Sequence, residues 1–334
     1  MRLGIAGGGT DVSPYSDEFG GCVLNATINM YAHSFIDTDV KDNIVIFEAK
    51  DIGIIETIDL SQEVSLDGKL ILHRAVYKRL MDEYNNGEYV PLKLTTRSDA
   101  PPGSGLGSSS TMVVAMLEGF RQLMSLPLGE YDLAHLAYEI ERIDCRLSGG
   151  KQDQYAATFG GFNFMEFYSN DRVIVNPLRI RRYIISELES SLILFFTGAS
   201  RASAKIIDDQ IKSIQQDSGV RLEAMHKVKA SAYKIKELLF KADVLGIAQE
   251  FLQAWENKKA TSSSISNDYI NKIEKEILAE GALSMKVSGA GGGGFMMIFV
   301  EPENKLNVIS KLEQFEGQVH NFQFTDEGAY SWTI

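Results

Sequence analysis

Cysteine, proline and positive charge are all scarce in this chain. Its 334 residues include two cysteines, Cys22 and Cys145, and seven prolines, while 44% of the residues are hydrophobic. Two cysteines are too few for a disulfide framework or a four-ligand zinc site, so we expect both thiols to pack in the core of a protein from a reducing compartment. A high apolar content with little proline is typical of a globular protein and argues against disorder.

Basic residues are outnumbered, with 33 lysines and arginines against 45 aspartates and glutamates and a formal net charge of −12. Because no basic tract is present, we expect neither nucleic acid nor an anionic membrane as a partner. The longest continuous apolar run, at 295–300, is too short to span a bilayer, and no charged-then-apolar leader opens the chain. These absences predict a soluble, cytoplasmic protein.

The chain is long enough for two modest domains. Apolar periodicity predicts strands at 24–28, 33–37, 43–48, 54–58, 92–98, 162–168, 191–197, 285–288 and 295–301. It predicts helices at 72–83, 108–125, 130–143, 152–158, 201–216, 221–242, 244–257, 266–280 and 306–315, with a terminal hairpin near 326. After the strand at 191–197 the chain changes to amphipathic helices, which favours a boundary near 180–190 and domains at 1–185 and 186–334.

A glycine-rich loop over 101–111, Pro-Pro-Gly-Ser-Gly-Leu-Gly-Ser-Ser-Ser-Thr, leads directly into the predicted helix at 108–125. The first backbone N–H groups of a helix have no partner within the helix and lie at the positive end of its dipole, which suits phosphate. Gly103, Gly105 and Gly107 allow the backbone to approach an anion closely. The serine hydroxyls can cap the helix, contact phosphate or bind Mg²⁺. The loop therefore predicts a polyphosphate site.

Two other interpretations of this loop are an ordinary capped helix after a flexible segment and a dinucleotide site. The residue order matches neither the Walker motif nor the G-x-G-x-x-G fingerprint. A hydride-transfer enzyme would also place an acidic residue about 20 positions further on, inside a strand–helix–strand unit. Glu118 comes too early, and helices follow it. The polyphosphate interpretation is therefore favoured over the dinucleotide site.

Two further segments accompany the loop: Arg-Leu-Gly-Ile-Ala-Gly-Gly-Gly-Thr-Asp at 2–11 and Lys-Val-Ser-Gly-Ala-Gly-Gly-Gly-Gly-Phe at 286–295. With Pro-x-x-x-Gly-Leu-Gly-Ser-Ser at 101–109, they resemble the three signature motifs of the GHMP kinases, in the family order. That family, which includes galactokinase and the homoserine, mevalonate and phosphomevalonate kinases, transfers the γ-phosphoryl of ATP to a small-molecule hydroxyl. The resemblance implies a two-domain α+β fold with the active site in the interdomain cleft.

Within the family, Gly-Gly-Gly-Thr-Asp-Val-Ser-Pro-Tyr at 7–15 resembles the sugar-1-kinases that act on D-glycero-D-manno-heptose 7-phosphate. The segment Ser-Gly-Gly-Lys-Gln-Asp-Gln-Tyr-Ala-Ala at 148–157 resembles the same branch, whereas galactokinases carry an Asn-Leu-Ile-Gly-Glu-His-Thr-Asp type of first motif. The resemblance implies that ATP, with Mg²⁺, phosphorylates the anomeric hydroxyl. The product would be the 1,7-bisphosphate used in GDP-heptose synthesis.

Phosphoryl transfer needs phosphates held in line, a metal ion to neutralise charge, and a group that deprotonates or orients the attacking hydroxyl. By resemblance, Asp153 is the candidate base, and a base of this kind contributes roughly 10²- to 10⁴-fold in rate. Arg2 occupies the place of the basic residue of the first motif, which implies a position close to Asp153 and the reacting hydroxyl. A capping or surface role for Asp153, and a solvated terminal position for Arg2, are the alternatives.

The resemblance also assigns the cofactor sites. ATP would be bound by the loop residues Pro101, Gly103, Ser104, Gly105, Leu106, Gly107, Ser108, Ser109 and Ser110. A loop serine and a glutamate from the following helix pair would hold Mg²⁺; these map to Ser109, with Ser108 as its alternative, and to Glu141, with Glu139 as a competitor. The glycine run at 289–294 has an entropic cost in regular structure, so we expect it to brace the phosphate loop by close backbone approach.

The substrate is expected to meet the first motif. The resemblance implies binding by Gly8, Gly9, Thr10, Asp11, Gly150 and Arg201. Asp11 would accept hydrogen bonds from sugar hydroxyls, although an aspartate after glycines is also good turn chemistry. A phosphorylated substrate needs a second anion site, for which the candidates are Arg97, Lys151, Arg201 and Lys205.

Three other functions remain open on the sequence. The chain could be a GHMP kinase for fucose, galacturonate or an unphosphorylated heptose, or a sugar-binding regulator that has lost catalysis. An ATP-driven decarboxylase of the mevalonate branch would share the fold, but the first motif argues against it. ATP and a sugar phosphate are the expected partners, and a homodimer is left open.

Overall fold

A computed structural model describes residues 1–198, 206–209 and 219–334. The strands of the described residues are β1 Arg2–Ala6, β2 Gly21–Thr27, β3 Ala32–Asp37, β4 Ile44–Ala49, β5 Ile54–Asp59, β6 Leu92–Ser98, β7 Phe162–Phe167, β8 Val173–Pro177, β9 Leu192–Phe196, β10 Ala282–Val287, β11 Phe295–Val300 and β12 Gln318–His320. They form four-stranded sheets with the orders β1-β2-β7-β8, β3-β6-β4-β5 and β10-β11-β9-β12. Neighbouring strands are antiparallel except for β4 and β6, which are parallel.

The helices of the same residues are α1 Tyr15–Phe19, α2 Ile71–Tyr84, α3 Ser108–Leu123, α4 Glu130–Glu139, α5 Gln152–Phe159, α6 Arg182–Ser191, α7 Val220–Phe240, α8 Val244–Lys259, α9 Asp268–Ala279 and α10 Lys305–Leu312. A π-helical turn, Ile140–Asp144, continues α4, and a short 3₁₀ helix, Pro302–Asn304, precedes α10. None of the helices in the described ranges combines the length and the apolar character needed to cross a bilayer.

Strand β2 is buried along its whole length, because α5 and α7 both pack against it. Helix α7 also contacts β1 and pairs with α8, which in turn packs on β10. The antiparallel helix pair thus joins the first sheet to the last, and one apolar cluster runs through both, from Leu3 and Leu24 to Phe251 and Phe299. A second cluster lies where α2 and α3 cover the β3-β6-β4-β5 sheet. Leu3, Ala6 and Leu106 of the glycine-rich motifs belong to the first cluster, and α5 contacts both β1 and α3.

Most predicted elements are present with shifted ends. Helix α3 begins at residue 108, as predicted, and the predicted helix at 130–143 is α4 continued by the π-helical turn. The sequence analysis missed β1, β8, β12, α1 and α6, and the predicted helix at 201–216 lies almost wholly outside the described residues. The elements agree with the expected α+β class, while the boundary between 1–185 and 186–334 stays a prediction.

The predicted hairpin near 326 is wrong. After β12 the tail returns to the first sheet, where the N–H of Thr325 donates to the carbonyl of Thr27 at 3.0 Å and that of Ala329 to Thr158 at 3.3 Å. The hydroxyl of Ser331 donates to Glu118 Oε1 at 2.8 Å. Gly328, which follows Asp326 and Glu327, therefore allows the backbone to approach Thr158 closely and does not form a turn. A Cβ at Gly328 would lie 1.9 Å from the Thr158 carbonyl oxygen.

Both cysteines are buried free thiols, as expected. Burial raises the pKa of each thiol to about 12, so neither is a nucleophile near neutral pH. Cys22 lies in β2 and its carbonyl accepts a hydrogen bond from the hydroxyl of Thr10. The two thiols are packing residues.

Candidate active site

The glycine-rich loop rests on the turn between β10 and β11. A Cβ at Gly105, whose φ is 80°, would lie 2.4 Å from the carbonyl oxygen of Ser288, and a Cβ at Gly294 would lie 2.3 Å from that of Ser104. The Ser288 hydroxyl donates to the Gly105 carbonyl at 2.9 Å, and the N–H of Phe295 donates to the Ser104 carbonyl at 2.9 Å. The contacts confirm that the glycine run braces the loop.

The loop presents mainly backbone at the start of α3. Gly107 adopts the left-handed conformation immediately before the helix, with φ 71° and ψ 30°. Among the residues predicted to bind ATP, Pro101 and Ser109 are exposed, Gly103, Gly105 and Gly107 are half-buried, and Ser104, Leu106, Ser108 and Ser110 are buried. The accessible surface of these residues therefore consists of Pro101, glycine backbone and Ser109, and the backbone at the start of the helix is what a polyphosphate site requires.

Arg2 and Asp153 form an ion pair beneath this loop. The guanidinium Nε lies 2.7 Å from Asp153 Oδ1 and Nη2 lies 2.5 Å from the same oxygen. Nη1 donates to the Gly105 carbonyl at 2.6 Å, so one arginine joins the carboxylate to the loop. Asp153 belongs to the first turn of α5, and a Cβ at Gly107 would lie 3.0 Å from its Cγ. Arg2 is buried, whereas the Asp153 side chain is 22% exposed, so the carboxylate is open to a substrate.

Ser109 and Glu141 meet at the first turn of α3. The Ser109 hydroxyl donates to Glu141 Oε1 at 2.6 Å, and Gln154 Nε2 donates to Oε2 at 2.5 Å. Glu141 comes from the π-helical turn after α4 and is 1% exposed. Glu139, its predicted competitor, faces elsewhere and pairs with Arg79 at 3.6 Å. The structure thus brings together the serine and glutamate predicted to hold Mg²⁺.

The donor chemistry at this point suits Mg²⁺, which prefers hard oxygen ligands and commonly takes one or two from protein with the rest from phosphate and water. The described residues contain no group of three or more histidine, cysteine, aspartate or glutamate side chains arranged to hold a metal. A metal here would therefore depend on the phosphates of ATP for part of its coordination. The two oxygen donors, Ser109 and Glu141, fit that arrangement.

Asp11 of the first motif is buried at 1% exposure and already has three donors from the chain. Its Oδ1 accepts from the N–H of Gly9 at 3.0 Å and from Gln152 Nε2 at 3.2 Å, and Oδ2 accepts from the N–H of Gln152 at 3.1 Å. A Cβ at Gly150 would lie 1.9 Å from Oδ2. Asp11 therefore anchors the start of α5, and with it Asp153. Contacts between the sugar and Gly8, Gly9, Thr10, Asp11 or Gly150 stay a prediction.

Two buried lysines beside this motif were missed by the sequence analysis. Lys286 Nζ donates to the carbonyls of Gly4 and Ile5 at 3.1 and 2.8 Å. Lys258, at the end of α8, donates to the Gly289 carbonyl at 2.5 Å and is 4% exposed. Burial, assisted by repulsion from Arg2, lowers the pKa of Lys258 to about 8, and burial lowers that of Lys286 well below its ordinary value. A single lysine in an amphipathic helix carries no motif, so only the fold could show it.

The candidates for a second anion site are dispersed. Lys151 is buried and lies 2.6 Å from Asp171, and Arg97 is 63% exposed and pairs with Asp99 at 3.3 Å. Arg201 and Lys205 lie outside the described residues. Lys151 precedes the helix that carries Asp153, but neither described candidate contacts Arg2 or Asp153, and their role as a phosphate site stays a prediction.

Comparison with known proteins agrees with this geometry. The sequence model of the GHMP kinases N-terminal domain matches residues 71–161, and that of the GHMP kinases C-terminal domain matches residues 235–317. The first match contains the glycine-rich loop together with the residues of the Ser109–Glu141 contact and Asp153. The second contains the run at 289–294 and the helix that carries Lys258.

Full-length relatives are similar over the same span. The chain is 47% identical to the D-glycero-alpha-D-manno-heptose 7-phosphate kinase of Campylobacter jejuni, covering 100% of this chain and 97% of that protein. It is 45% identical to a D-glycero-D-manno-heptose 1-phosphate kinase of Bacteroides thetaiotaomicron, whose crystal structure it matches with a TM-score of 0.84 over 100% and 97% of the two chains. It is also 26% identical to a bifunctional fucokinase/GDP-fucose pyrophosphorylase of Arabidopsis thaliana, covering 96% of this chain and 32% of that protein.

Proposed function

Since this chain belongs to the GHMP kinase family, we propose that it transfers the γ-phosphoryl of ATP to the anomeric hydroxyl of D-glycero-D-manno-heptose 7-phosphate. The products would be ADP and the 1,7-bisphosphate, a precursor suited to GDP-heptose synthesis. The observation that carries the proposal is the Arg2–Asp153 pair held against the glycine-rich loop, with the carboxylate partly open to solvent. In the proposal Asp153 would be a proton acceptor between the nucleotide phosphates and the sugar hydroxyl.

In this proposal Asp153 accepts the proton of the attacking hydroxyl. The hydroxyl oxygen forms a bond to the γ-phosphorus while the bond to the β,γ-bridging oxygen breaks, and ADP carries the electron pair away. Arg2 holds the carboxylate in place and offers a fixed positive charge near the oxygen as it becomes anionic. Because Arg2 also donates to Gly105, the same side chain keeps the base in register with the phosphate loop.

The loop and the start of α3 would bind the phosphates of ATP through backbone N–H groups, which are oriented by the left-handed glycines. Ser109 and Glu141 would hold Mg²⁺ at the outer edge of this loop. The metal neutralises phosphate charge when bound. Gln154, which donates to Glu141, would keep that carboxylate directed at Ser109.

The choice of the 7-phosphate rests on the first motif and on the full-length relative named for that substrate. The name of the Bacteroides protein specifies a 1-phosphate kinase, and the Arabidopsis protein is named for fucose. The second candidate function is therefore phosphorylation of another sugar or of another position on the heptose. The position of the new phosphate is the property that separates these candidates.

ADP release with Mg·ATP should be measured on heptose 7-phosphate, heptose 1-phosphate, free heptose, mannose, fucose and galacturonate, with phosphorus NMR of each product. Turnover confined to heptose 7-phosphate with a new anomeric phosphate would support the proposal. Turnover of another sugar only would support kinase activity and reject heptose 7-phosphate as the substrate. ATP binding without turnover on any of them would favour a sugar-binding regulator.

A further inference from the structure

A small space lies over β1 and the turn that follows it, where Gly4 of the strand and Gly8 of the turn have no side chain. A Cβ at Gly4 would lie 3.9 Å from Gln152 Oε1 and from Arg2 Nη1. A Cβ at Gly8 would lie 3.7 Å from Gln152 Nε2 and 3.8 Å from Lys258 Nζ. The amide of Gln152 therefore lies across both glycines, with the Lys258 ammonium beside the second. Gly4 is buried and Gly8 is half-buried, so the space is open on the Gly8 side.

Both polar groups on this space have unused hydrogen-bonding capacity. Gln152 is 7% exposed, and within the described residues its Oε1 accepts no hydrogen bond, while its Nε2 is taken by Asp11. The Lys258 ammonium has three donors. One goes to the Gly289 carbonyl, and the parts of the chain that the structure describes offer no acceptor for the others. A buried acceptor and a buried cation are thus left unsatisfied at the same place, which is costly unless a ligand completes them.

Lys258 also lacks a structural explanation of the kind that accounts for its neighbours. Lys286 uses two backbone carbonyls of β1, and Lys259 pairs with Glu256 at 2.7 Å and Glu274 at 3.2 Å. Lys258 forms no ion pair with a carboxylate of the described chain. Its position in the last turn of α8 favours a positive charge through the helix dipole, but the repulsion from Arg2 opposes it.

We propose that Lys258 and Gln152 form a donor–acceptor pair that recognises one hydroxyl group of a polyhydroxylated substrate between Gly4 and Gly8, with Gln152 Oε1 beside Gly4 and Lys258 Nζ beside Gly8. A hydroxyl both donates and accepts, so it can accept from the ammonium and donate to Oε1 at once. An ether at that position can accept from the ammonium but cannot donate to Oε1, and a methyl group or a bare hydrogen satisfies neither partner. The pair therefore acts as a specificity determinant, distinct from the Arg2–Asp153 pair that faces the phosphate loop. The inference rests on the proposed sugar kinase activity and adds to it the residues that select the sugar.

The test compares Lys258→Met and Gln152→Leu with wild type on heptose 7-phosphate and on its 2-, 3- and 4-deoxy analogues. Lys259→Met is the matched control, because it removes the next lysine of the same helix, which faces Glu256 and Glu274. We expect Lys258→Met to raise the sugar KM roughly 10- to 100-fold, the effect of losing a charged hydrogen bond, with the ATP KM and melting temperature close to wild type. The Lys259→Met control should keep the wild-type sugar KM.

The decisive result is non-additivity between the side-chain substitution and the removal of one substrate hydroxyl. One deoxy analogue should be weaker for wild type by a similar factor, and Lys258→Met and Gln152→Leu should show no further loss on that analogue. Equal losses for wild type and variants on every analogue would overturn the proposal. A rise in the ATP KM that matches the rise in the sugar KM would also overturn it, because that result indicates a purely structural role for Lys258 in holding Gly289. If Lys258→Met fails to fold, Gln152→Leu and the analogue series on wild type decide the question. If wild type turns over a different sugar, heptose 7-phosphate is rejected as substrate and the same comparison on deoxy analogues of that sugar tests the pair.

Discussion

The hydroxyl of Ser288 donates a 2.9 Å hydrogen bond to the carbonyl of Gly105, a residue 183 positions earlier in the chain. The two backbones come so close here that a Cβ at Gly105 would lie 2.4 Å from the Ser288 carbonyl oxygen. Arg2 Nη1 donates to the same Gly105 carbonyl and ends 3.4 Å from the Ser288 hydroxyl. The three glycine-rich motifs of the sequence therefore meet at one backbone carbonyl.

Gly105→Ala should damage the phosphate loop. The substitution adds a Cβ at a residue with a positive φ and also brings that Cβ into a backbone clash. Together these cost more than an isolated strained residue, which costs about 1–3 kcal/mol. We expect a lower melting temperature and an ATP KM raised at least about tenfold. Gly87→Ala is the control, because Gly87 has a φ of 75° with nothing within 4 Å of its Cβ. Equal effects of the two variants on ATP binding would show that the contact with Ser288 is unimportant.

Asp153→Asn should lower turnover by roughly 10²- to 10⁴-fold, because it removes the proton acceptor. ATP affinity, measured by calorimetry, should stay close to wild type since the loop itself is intact. Asp268→Asn, an exposed aspartate at the start of α9, should retain activity. Undiminished turnover of Asp153→Asn would remove this carboxylate from the reaction.

Arg2→Lys should reduce kcat roughly 10- to 100-fold although the charge is kept. A lysine has one ammonium and cannot reproduce the fork that contacts both the Asp153 carboxylate and the Gly105 carbonyl. Arg74→Lys provides the comparison, because Arg74 forms a similarly buried pair with Glu56 at 2.7 Å, remote from the site. That variant is expected to change stability without changing kcat, and a wild-type kcat for Arg2→Lys would contradict the assigned role.

Glu141→Gln should raise the Mg²⁺ concentration needed for half-maximal activity roughly 10- to 100-fold. The variant keeps the size of the side chain and loses its negative charge, which is the property that a hard cation uses. The same titration of Glu139→Gln should match wild type, since Glu139 pairs with Arg79 and lies 3.6 Å from His135. A shift for Glu139→Gln and none for Glu141→Gln would reverse the assignment.

The sugar KM should rise with pH above about 8. Burial lowers the pKa of Lys258 from 10.5 to about 8; repulsion from Arg2 adds to this decrease, and attraction to Asp11 opposes it. Lysine is charged below its pKa, so the charged hydrogen bond is present below pH 8 and lost as the pH rises through it. A charged bond is roughly twice as strong as a neutral one, so we expect the sugar KM to rise by about 3- to 10-fold. The Lys258→Met variant should lack this rise, and a rise that persists in it would assign the titration to another group.

Much of the fold followed from local pattern. Helix α3 begins at residue 108 as predicted because glycine and serine chemistry marks its start, and β11 is recognisable as a short, wholly apolar run. The strand β1 was missed because its one glycine, Gly4, and its single charge, Arg2, conceal the alternation of a strand. The hairpin near 326 was wrong because Asp-Glu-Gly is good turn chemistry, while the observed conformation is decided by contacts with Thr27 and Thr158.

The candidate site also has residues that the sequence indicated and choices that needed the structure. The order of three glycine motifs was sufficient to indicate the family, and the resemblance then proposed Arg2, Asp153, Ser109 and Glu141 as site residues. The sequence left Ser108 and Ser109, and Glu139 and Glu141, as alternatives. The observed contact between Ser109 and Glu141 favours that pair, since helical phase over a π-helical turn determines which glutamate points inward.

The sequence by itself determined the family of this protein and the location of its glycine-rich loop, because both follow from short motifs whose residues are close in the chain. Only the tertiary structure decided which distant groups come together at the candidate site. Arg2 and Asp153 are 151 positions apart, and Lys258 reaches Gly8 from a helix in the other half of the chain. A buried cation with spare donors depends on which side chains surround it after folding, and no local pattern in the sequence records that environment.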